Sequence, residues 1–358
     1  MTQVRKKINL KGKNIYVGID VHKKKWTIAV STETTNYRPF NQEADAERLV
    51  NYLKEKFIGA KITCAYEAGF SGFHLQEYLS KNGIECLVVH PADIPTTDKE
   101  SEFKTDQRDA KKIAECLRSG QLKGIHIPTK ELQEARSLIR FRKQMRKDFT
   151  REKCRIRSLL MFYGITVPEE LDNGGKWNGK MRSWLWNLEL TTEEGTETLQ
   201  MMMSMLEYIR GMRDCANRKL NKLGNTEYYQ PQVDLLSSVP GFSRHTAIKF
   251  LVELGDIKRF RTLGHLCNYI GLVPSTHSSG ENIRASRMTY RGHSELRMML
   301  IESSWVAIGT DPALELSYQE YKKRMIAQKA IVKIARKLLS RVRYVLIHEL
   351  PYEKGIVE

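Results

Sequence analysis

Four carboxylates stand at positions from which a folded chain could direct them at one divalent-ion site. Asp20 closes the apolar run IYVGID and Glu67 closes ITCAYE, so each lies at the end of a predicted strand. Burying an acid beside such a strand is costly unless it is paired or binds a metal. Asp106 and Asp109 are three residues apart at a predicted helix start and project from one face. Such an all-oxygen set could surround one or two Mg²⁺ ions, about 4 Å apart if two are bound.

Each acid also has an ordinary structural interpretation. Asp20 could cap a turn, and Glu67 could pair with Lys61 or Arg108. The two helical acids would suit a helix N-terminus in any protein. A nearby histidine, His22, is more typical of a solvated or hydrogen-bonded side chain than of a ligand. The order of hairpin acid, strand-end acid and helix pair favours the metal site.

Residues 1–128 are predicted to form one α/β domain. INLKGKNIYVGIDV and KKWTIAVST are β-rich runs joined by a short polar turn, and NYRPF is a candidate third strand. KITCAYEA and IECLVVHP are further strands. They alternate with helices predicted over 45–57, SGFHLQEYLSKNG and TDQRDAKKIAECLRSGQL, the last with a Thr N-cap. This order predicts a mixed sheet with helices on its faces.

Residues 129–230 are predicted to form a basic, helical linker of coiled-coil type. Between Arg136 and Arg157 there are ten Lys or Arg residues against two acids. A helix with one apolar seam and this many cations suits both helix pairing and contact with a phosphate backbone. The predicted nucleic-acid contacts are Arg140, Arg142, Lys143, Arg146, Lys147, Arg151 and Lys153.

Residues 231–358 are predicted to form a mainly helical C-terminal domain. The run SVPGFSRHTAIKFLVEL resembles a helix-hairpin-helix, in which a turn and a helix N-terminus present N–H groups to phosphate. Two bundle helices joined by a Pro-Gly turn would give the same pattern. A basic amphipathic helix is predicted near Ile331 to Leu350, with Ile331, Ile334, Leu338, Val342, Val345 and Leu346 as its apolar stripe.

The composition indicates a polyanionic partner. The formal net charge is +17 and the sequence pI is about 9.5. Neutralising phosphates with release of counterions is the main sequence-independent source of nucleic-acid affinity. No apolar run approaches the roughly 20 residues needed to cross a bilayer, and the six cysteines form no CxxC pair. We therefore expect a cytoplasmic protein with buried, reduced thiols.

Several segments together carry a family resemblance. YVGIDVHKKKW, AYEAGFSGFHLQEYL, VVHPADIP and KTDQRDA resemble the RuvC-like N-terminal domain of DEDD-type insertion-sequence transposases. SVPGFSRHTAIKFLVELGDIKRF and GLVPSTHSSGENIRASRMTYRGHSELR resemble that family's C-terminal transposase domain. The matches cover both ends of the chain in the correct order. They leave the helical middle as the family's variable linker.

The resemblance implies a fold, an activity and partners. The fold would be RNase H-like (RuvC-like), and Asp20, Glu67, Asp106 and Asp109 align with the Mg²⁺-binding tetrad. Ser279, the serine before the glycine in GLVP-x5-G, aligns with a nucleophilic serine that forms a transient phosphoserine link to DNA. The family is thought to be directed to donor and target DNA by a structured bridge RNA from its own element. Its dimers, assembling to tetramers, would place one subunit's acidic site beside another's serine.

The chemistry of a serine nucleophile fits this assignment. A serine attacks weakly until its proton is removed or the phosphate is polarised, and a tetrad-bound Mg²⁺ could do both. The developing negative charge could be neutralised by Arg284, Arg287 and Arg291. Ser278 is the local rival, and His277 could be a helper base or a loop residue. An ordinary Ser-rich surface turn is the alternative for STHSSGEN.

Two other functions remain open from sequence. A RuvC-type, metal-dependent Holliday-junction nuclease would need the tetrad and would attack with water, without a serine. A non-catalytic basic nucleic-acid-binding protein would need neither. The transposase or recombinase is favoured because a pure binder has little reason to place acids within its own positive field.

Overall fold

A computed structural model describes residues 10–95, 105–172, 174, 177–279, 282–288 and 291–355, with backbone alone for 274–279 and 282–288. The chain divides into two compact units, Met1–Ile127 and Pro128–Glu358. The boundary between the predicted linker and the predicted C-terminal domain falls inside the second unit, where a helix begins at Gln230.

The first unit is built on a five-stranded mixed sheet, as the sequence predicts. Its strands are β1 (Asn14–Val21), β2 (Lys25–Thr32), β3 (Phe40–Glu43), β4 (Lys61–Glu67) and β5 (Glu85–Val89), in the order β3-β2-β1-β4-β5. The pairs β1–β2 and β2–β3 are antiparallel, whereas β1–β4 and β4–β5 are parallel. Its helices are α1 (Ala46–Lys56), α2 (His74–Lys81) and α3 (Asp106–Arg118). The sequence predicts the third strand over NYRPF, residues 36–40. It instead begins at Phe40, the last residue of that run, and ends at Glu43.

The two faces of the sheet have different packing because residues alternate along each strand. Ile15, Val17 and Ile19 of β1 point into one apolar core, which also contains residues of α1 and α2. The opposite face packs on α3 through small side chains, where Ala29 of β2 contacts Ala110 and Ala114. This small-residue face allows a helix to lie close to the strands.

The second unit is mainly helical, as predicted, with one β-hairpin. Its helices are α4 (Lys130–Phe162), α5 (Gly179–Trp186), α6 (Glu193–Gly224), α7 (Gln230–Ser237), α8 (Arg244–Leu254), α9 (Leu263–Ile270), α10 (Ser294–Ile308), α11 (Pro312–Lys322) and α12 (Ala327–His348). The hairpin strands are β6 (Pro274–Ser279) and β7 (Asn282–Met288), and short 3-10 turns cover Pro91–Asp93, Glu169–Leu171 and Ile257–Arg259. All six residues of the predicted stripe on α12 are buried, which confirms that prediction.

Two apolar cores hold the second unit together. The C-terminal half of α4 packs with α5 and the start of α6 around Ile156, Leu185 and Leu206. The beginning of α4 and the end of α6 join helices α7 to α12 in the larger core. In neither unit does any described helix have the length and apolar character needed to cross a membrane.

The cysteines follow the expectation only in part. All six are free, and Cys64, Cys86, Cys116 and Cys267 are buried. Cys154 is exposed, because it lies on the solvent face of α4, and Cys215 is half-buried.

Candidate functional site

The side chains of Asp20, His22 and Asp106 form a compact group at the end of β1. Asp20 is the penultimate residue of β1, and Asp106 is the first residue of α3. His22 lies between them, with Nε2 3.2 Å from Oδ2 of Asp20 and 3.4 Å from Oδ1 of Asp106. One donor atom from each of the three residues lies within 4.8 Å of the others. A strand-end acid and a helix-start acid therefore share one small volume.

Glu67 is brought to the same face by strand register. The backbone of Gly18 pairs with that of Ala65, and Ile19 pairs with Tyr66, so Asp20 and Glu67 occupy the next position on the adjacent strands. Ala65 is buried on the α3 side of the sheet. Since alternate residues of a strand share a face, Glu67 also lies on the α3 side.

Asp109 is one helical turn after Asp106 and interacts electrostatically with Asp20. Thr105 is the N-cap of α3, as predicted, but its side chain makes no capping hydrogen bond. The backbone N–H of Asp109 donates to the Thr105 carbonyl, which starts the helix. All four predicted acids thus lie on the α3 side of the sheet. Of these described acids, Asp20 and Asp106 belong to the compact group with His22, whereas Glu67 and Asp109 do not.

The electrostatics of this acidic group favour a bound cation. Burial raises the pKa of Asp20, whose side chain is 21% exposed, and the charges on Asp106 and Asp109 raise it further. His22 opposes this shift. Crowded carboxylates that disfavour one another's charged forms are stabilised as anions by a positive ion.

The donor set fits a hard divalent cation. Carboxylate oxygens on one face, next to solvent, are the ligands that such ions use when they also hold substrate phosphate. The sequence predicts a solvated or hydrogen-bonded His22, whereas the structure places it beside both Asp20 and Asp106. The sequence feature that indicates this contact is the spacing: His22 follows Asp20 by two residues, in the turn between the antiparallel strands β1 and β2.

Gly18 determines how closely α3 approaches the sheet. A Cβ atom at this position would lie 2.0 Å from the carbonyl oxygen of Ala110 and 2.5 Å from the amide nitrogen of Ala114. Both are backbone atoms, so no side-chain rotation could relieve the contact. The helix that carries Asp106 and Asp109 can therefore pack on β1 only because residue 18 lacks a side chain.

We expect Gly18→Ala to impair DNA cleavage about 100-fold, because α3 must move on the order of 1 Å and misplacement on this scale is costly to catalysis. Overpacking should also lower the free energy of unfolding by about 1–3 kcal/mol. The assay is DNA cleavage with a parallel thermal melt. Gly69→Ala is the control, because its Cβ would meet nothing closer than the Glu67 carbonyl oxygen at 4.0 Å. Equal activity of the two variants would show that the close approach of α3 does not set the acidic site.

Ser279 is the last residue of β6, at the tip of the β6–β7 hairpin. Its backbone pairs with Asn282, and that of His277 pairs with Arg284. The sequence did not predict strands here. The side chains of Ser279, Ser278, His277, Arg284 and Arg287 lie outside the described residues. Arg291, just after the hairpin, is exposed.

The base of this hairpin is held tightly. A Cβ on Gly292 would lie 2.6 Å from Cα of Gly271, and both glycines have positive φ, +123° and +83°. The amide of His293 donates to the Tyr269 carbonyl at 2.9 Å. Nε2 of His293 also lies 3.1 Å from a carboxylate oxygen of buried Glu253. The segments entering and leaving the hairpin are therefore joined by backbone packing and by a backbone hydrogen bond.

The predicted basic stripe on α4 separates into engaged and exposed residues. Arg142 donates from Nε to Oδ1 of Asn217 on α6 at 3.0 Å, and Lys143 forms an ion pair with Glu295. Nζ of Lys153 lies 5.6 Å from the Phe149 ring centroid. The exposed members are Arg140, Arg146, Lys147 and Arg151, and of these Arg151 also pairs with Asp148 on the same helix, at 2.9 Å.

The Pro240–Phe242 turn, the core of the helix-hairpin-helix prediction, packs against α10. Pro240 and Phe242 are buried, and the Ser303 hydroxyl donates to the Gly241 carbonyl at 3.0 Å. Ser243 is the N-cap of helix α8, and its Oγ accepts from the Thr246 amide. This packing is also what the ordinary helix-bundle interpretation predicts.

The mixed sheet and its cluster of acids are consistent with an RNase H-like domain of the DEDD class. Comparison with known proteins agrees. The IS110-type DEDD transposase model matches residues 17–165, and the model for the transposase IS116/IS110/IS902 family matches residues 233–319. These matches fall on the two regions that contain the acids and Ser279.

Individual relatives are similar over much of the chain. It is 30% identical over 255 residues to the transposase for insertion sequence element IS1533 of Leptospira borgpetersenii, covering 69% of this chain and 71% of the relative. It is 26% identical over 229 residues to the IS1111A transposase of Coxiella burnetii, covering 62% and 59%. A pilin gene-inverting protein of Moraxella bovis is 34% identical over 134 residues, covering 36% and 40%.

The chain belongs to the IS110 family of DEDD-type insertion-sequence transposases. It is therefore a DNA transposase, an enzyme that binds DNA as its substrate. Membership of the DEDD class implies use of a divalent metal.

Proposed function

We propose that this transposase cuts and rejoins DNA through Ser279, assisted by Mg²⁺ held at Asp20, Glu67, Asp106 and Asp109, under the guidance of an element-encoded RNA. The observation that carries the proposal is that Asp20, at the end of β1, and Asp106, at the start of α3, lie together with His22. One possible ligand atom from each of the three lies within 4.8 Å of the others. When bound, Mg²⁺ supplies polarisation of the scissile phosphate and stabilisation of charge on the oxygens around it.

The covalent step belongs to Ser279. Its Oγ forms a bond to phosphorus, and the bond from phosphorus to a deoxyribose oxygen breaks. The serine proton passes to a base or to solvent, and the departing deoxyribose oxygen takes up a proton to become a hydroxyl. Rejoining reverses these events with a new deoxyribose hydroxyl as the attacking group. Arg284, Arg287 and Arg291 would stabilise the negative charge that develops on the phosphate oxygens.

The remaining chain would position the reactants. Close packing of Gly271 on Gly292 fixes the hairpin base that leads to Ser279. The acids need α3 held against β1, which Gly18 permits. A dimer that assembles to a tetramer would let one subunit's acids work beside another subunit's serine.

Incubation with Mg²⁺, the element's DNA ends and the noncoding RNA that flanks the element tests this proposal. A covalent protein–DNA adduct that maps to a single serine, Ser279, is the expected product. Cleaved DNA without any adduct would favour the RuvC-type nuclease that attacks with water. Binding without cleavage would leave a basic nucleic-acid-binding protein.

Guide-RNA binding gives a separate prediction on α4. Replacing Arg140, Arg146, Lys147 and Arg151 by Gln removes the exposed cations of the stripe. If they contact RNA phosphates, affinity should fall and the magnitude of the slope of log affinity against log salt should drop by roughly 2.8–3.6, because each of the four contacts contributes roughly 0.7–0.9. The measurement is a salt titration of binding to the flanking noncoding RNA.

A control matches the loss of charge. The same unit has four exposed cations away from α4, and their replacement by Gln removes an equal number of charges. They are Lys322, Lys323, Arg324 and Lys329. An unchanged slope in the α4 variant, or an equal drop in both, would mean that the stripe is only a solvated helix face.

A further inference from the structure

A cavity of about 580 Å³ lies where α4 ends, in the second unit. It is bounded by the last turn of α4, the segment that follows and the start of α5. Leu160, Ile165, Val167 and Met181 give it apolar walls. Its volume is within the usual range for small-ligand sites, about 300–1,000 Å³.

Trp177 lines this cavity and has an unused hydrogen-bond donor. The residue is 8% exposed, and its indole Nε1 is buried with no hydrogen-bond partner. Buried indole N–H groups usually find an acceptor. A ligand that carries one would therefore be favoured here.

Two cations lie near Trp177, and one carboxylate, that of Asp172, also lines the cavity. Arg157 lines the cavity, with Cζ 5.9 Å from the Trp177 ring centroid, and Nζ of Lys153 lies 5.7 Å from the same centroid. Among the described residues, Arg157 forms no ion pair. Burial lowers the pKa of Lys153, and the charge on Arg157 lowers it further. An anion would relieve this repulsion between like charges.

Two exposed aromatic residues lie in the chain between Met161 and Gly164, which line the cavity. Phe162 is 81% exposed and Tyr163 is 52% exposed, and their rings are in edge-to-face contact with centroids 5.3 Å apart. Proteins that bind single-stranded nucleic acid combine such aromatic surfaces with nearby cations.

We propose that the cavity binds the base of one unpaired nucleotide, with the adjoining phosphate beside Arg157 and Lys153. A nucleobase offers what the site lacks: ring nitrogen or carbonyl acceptors for the Trp177 N–H and a flat apolar face for the walls. The phosphate would place a negative charge beside Arg157, which forms no ion pair among the described residues. The proposal rests on the chain's action on nucleic acid and is independent of the Ser279 chemistry.

Binding of labelled single-stranded oligonucleotides to the full chain without divalent metal tests the proposal. Trp177→Phe keeps an aromatic ring but removes the N–H together with part of the indole's apolar surface, and Arg157→Gln removes one charge. Each should weaken binding about 5- to 10-fold, the effect expected for one hydrogen bond or one charge contact at about 1.4 kcal/mol per tenfold. Ribo- and deoxyribo-oligomers of the same sequence will show whether the nucleotide comes from RNA or DNA.

Two matched variants control for charge and ring content. Arg155→Gln removes a neighbouring cation that pairs with Glu152 instead of lining the cavity. Trp186→Phe alters an exposed tryptophan at the end of α5. Both should bind within twofold of the parent. Thermal melts of all four variants identify any effect that comes from misfolding.

An abasic oligomer separates the base from the phosphate. Arg157→Gln should weaken its binding, whereas Trp177→Phe should have no effect on it. The proposal fails if cavity variants and their controls bind all oligomers alike. It also fails if Trp177→Phe changes the mass of the assembly and leaves oligonucleotide affinity intact, since the cavity would then receive another copy of this chain. Because no strand is cut in this assay, its outcome is separate from that of the serine proposal.

Discussion

A Ser279→Ala protein should cut its element's DNA at less than about 1% of the parent rate, a barrier increase of at least about 2.7 kcal/mol. It should form no covalent adduct. The physical reason is that the variant lacks the only oxygen proposed to bond to phosphorus, and water held in its place would lack the same alignment. Cleavage and adduct formation are both measured on denaturing gels with end-labelled DNA.

Ser278→Ala is the matched control. It removes the same atom from the adjacent residue of β6, so general damage to the hairpin should affect both variants alike. Ser278→Ala should retain adduct formation. If Ser279→Ala cleaves at the parent rate, attack is by water and the serine assignment is wrong.

Replacing the acids should have an effect of similar size. Asp20→Asn, Glu67→Gln, Asp106→Asn and Asp109→Asn each preserve size and remove one charged ligand. Each should reduce cleavage at least about 100-fold, or about 2.7 kcal/mol of barrier, while DNA binding without metal is retained or improved. The gain in binding is expected because a negative charge is removed from a surface that faces phosphate.

Glu115→Gln is the control for the acids. Glu115 lies on α3, two turns beyond Asp109, with its side chain 41% exposed and 3.8 Å from Nζ of Lys111. Loss of its charge should leave the cleavage rate within about twofold of the parent rate, since an exposed ion pair contributes little to stability. A full-rate Asp20→Asn protein would remove the basis for a metal site at the sheet.

The first unit could be predicted well because its signals are local. Alternating apolar residues in IYVGID and TIAVS reveal buried strands, and acids that close such runs are unusual enough to be noticed. The βαβα order then limits the sheet to few arrangements. The convergence of Asp20 with Asp106 follows once α3 is known to lie on the face opposite Ile19.

Features that depend on tertiary packing could not be predicted. In the sequence, Gly18 is only a glycine that slightly destabilises a strand. Its role becomes visible in the structure, where the backbone of α3 packs directly against it. His22 has no sequence context that distinguishes a solvated histidine from one between two carboxylates. The β6–β7 hairpin escaped prediction because its strands are polar and serine-rich, so its composition is that of a loop.

Tertiary packing also determines which cations of α4 are available to bind a partner. The sequence gives the number of cations between Arg136 and Arg157, but not which ones other helices neutralise. The pairing of Lys143 with Glu295 spans 152 residues of sequence. The cavity at Trp177 likewise depends on how α5 folds back on the end of α4.

Binding of Mn²⁺, a substitute for Mg²⁺ that can be followed by electron paramagnetic resonance, tests the acidic site most directly. The parent and Glu115→Gln chains should bind the ion alike. Asp20→Asn and Asp106→Asn, which change residues on separate elements, should each weaken binding at least tenfold. Unaltered Mn²⁺ affinity in both of these variants would contradict a shared site for the strand-end and helix-start acids.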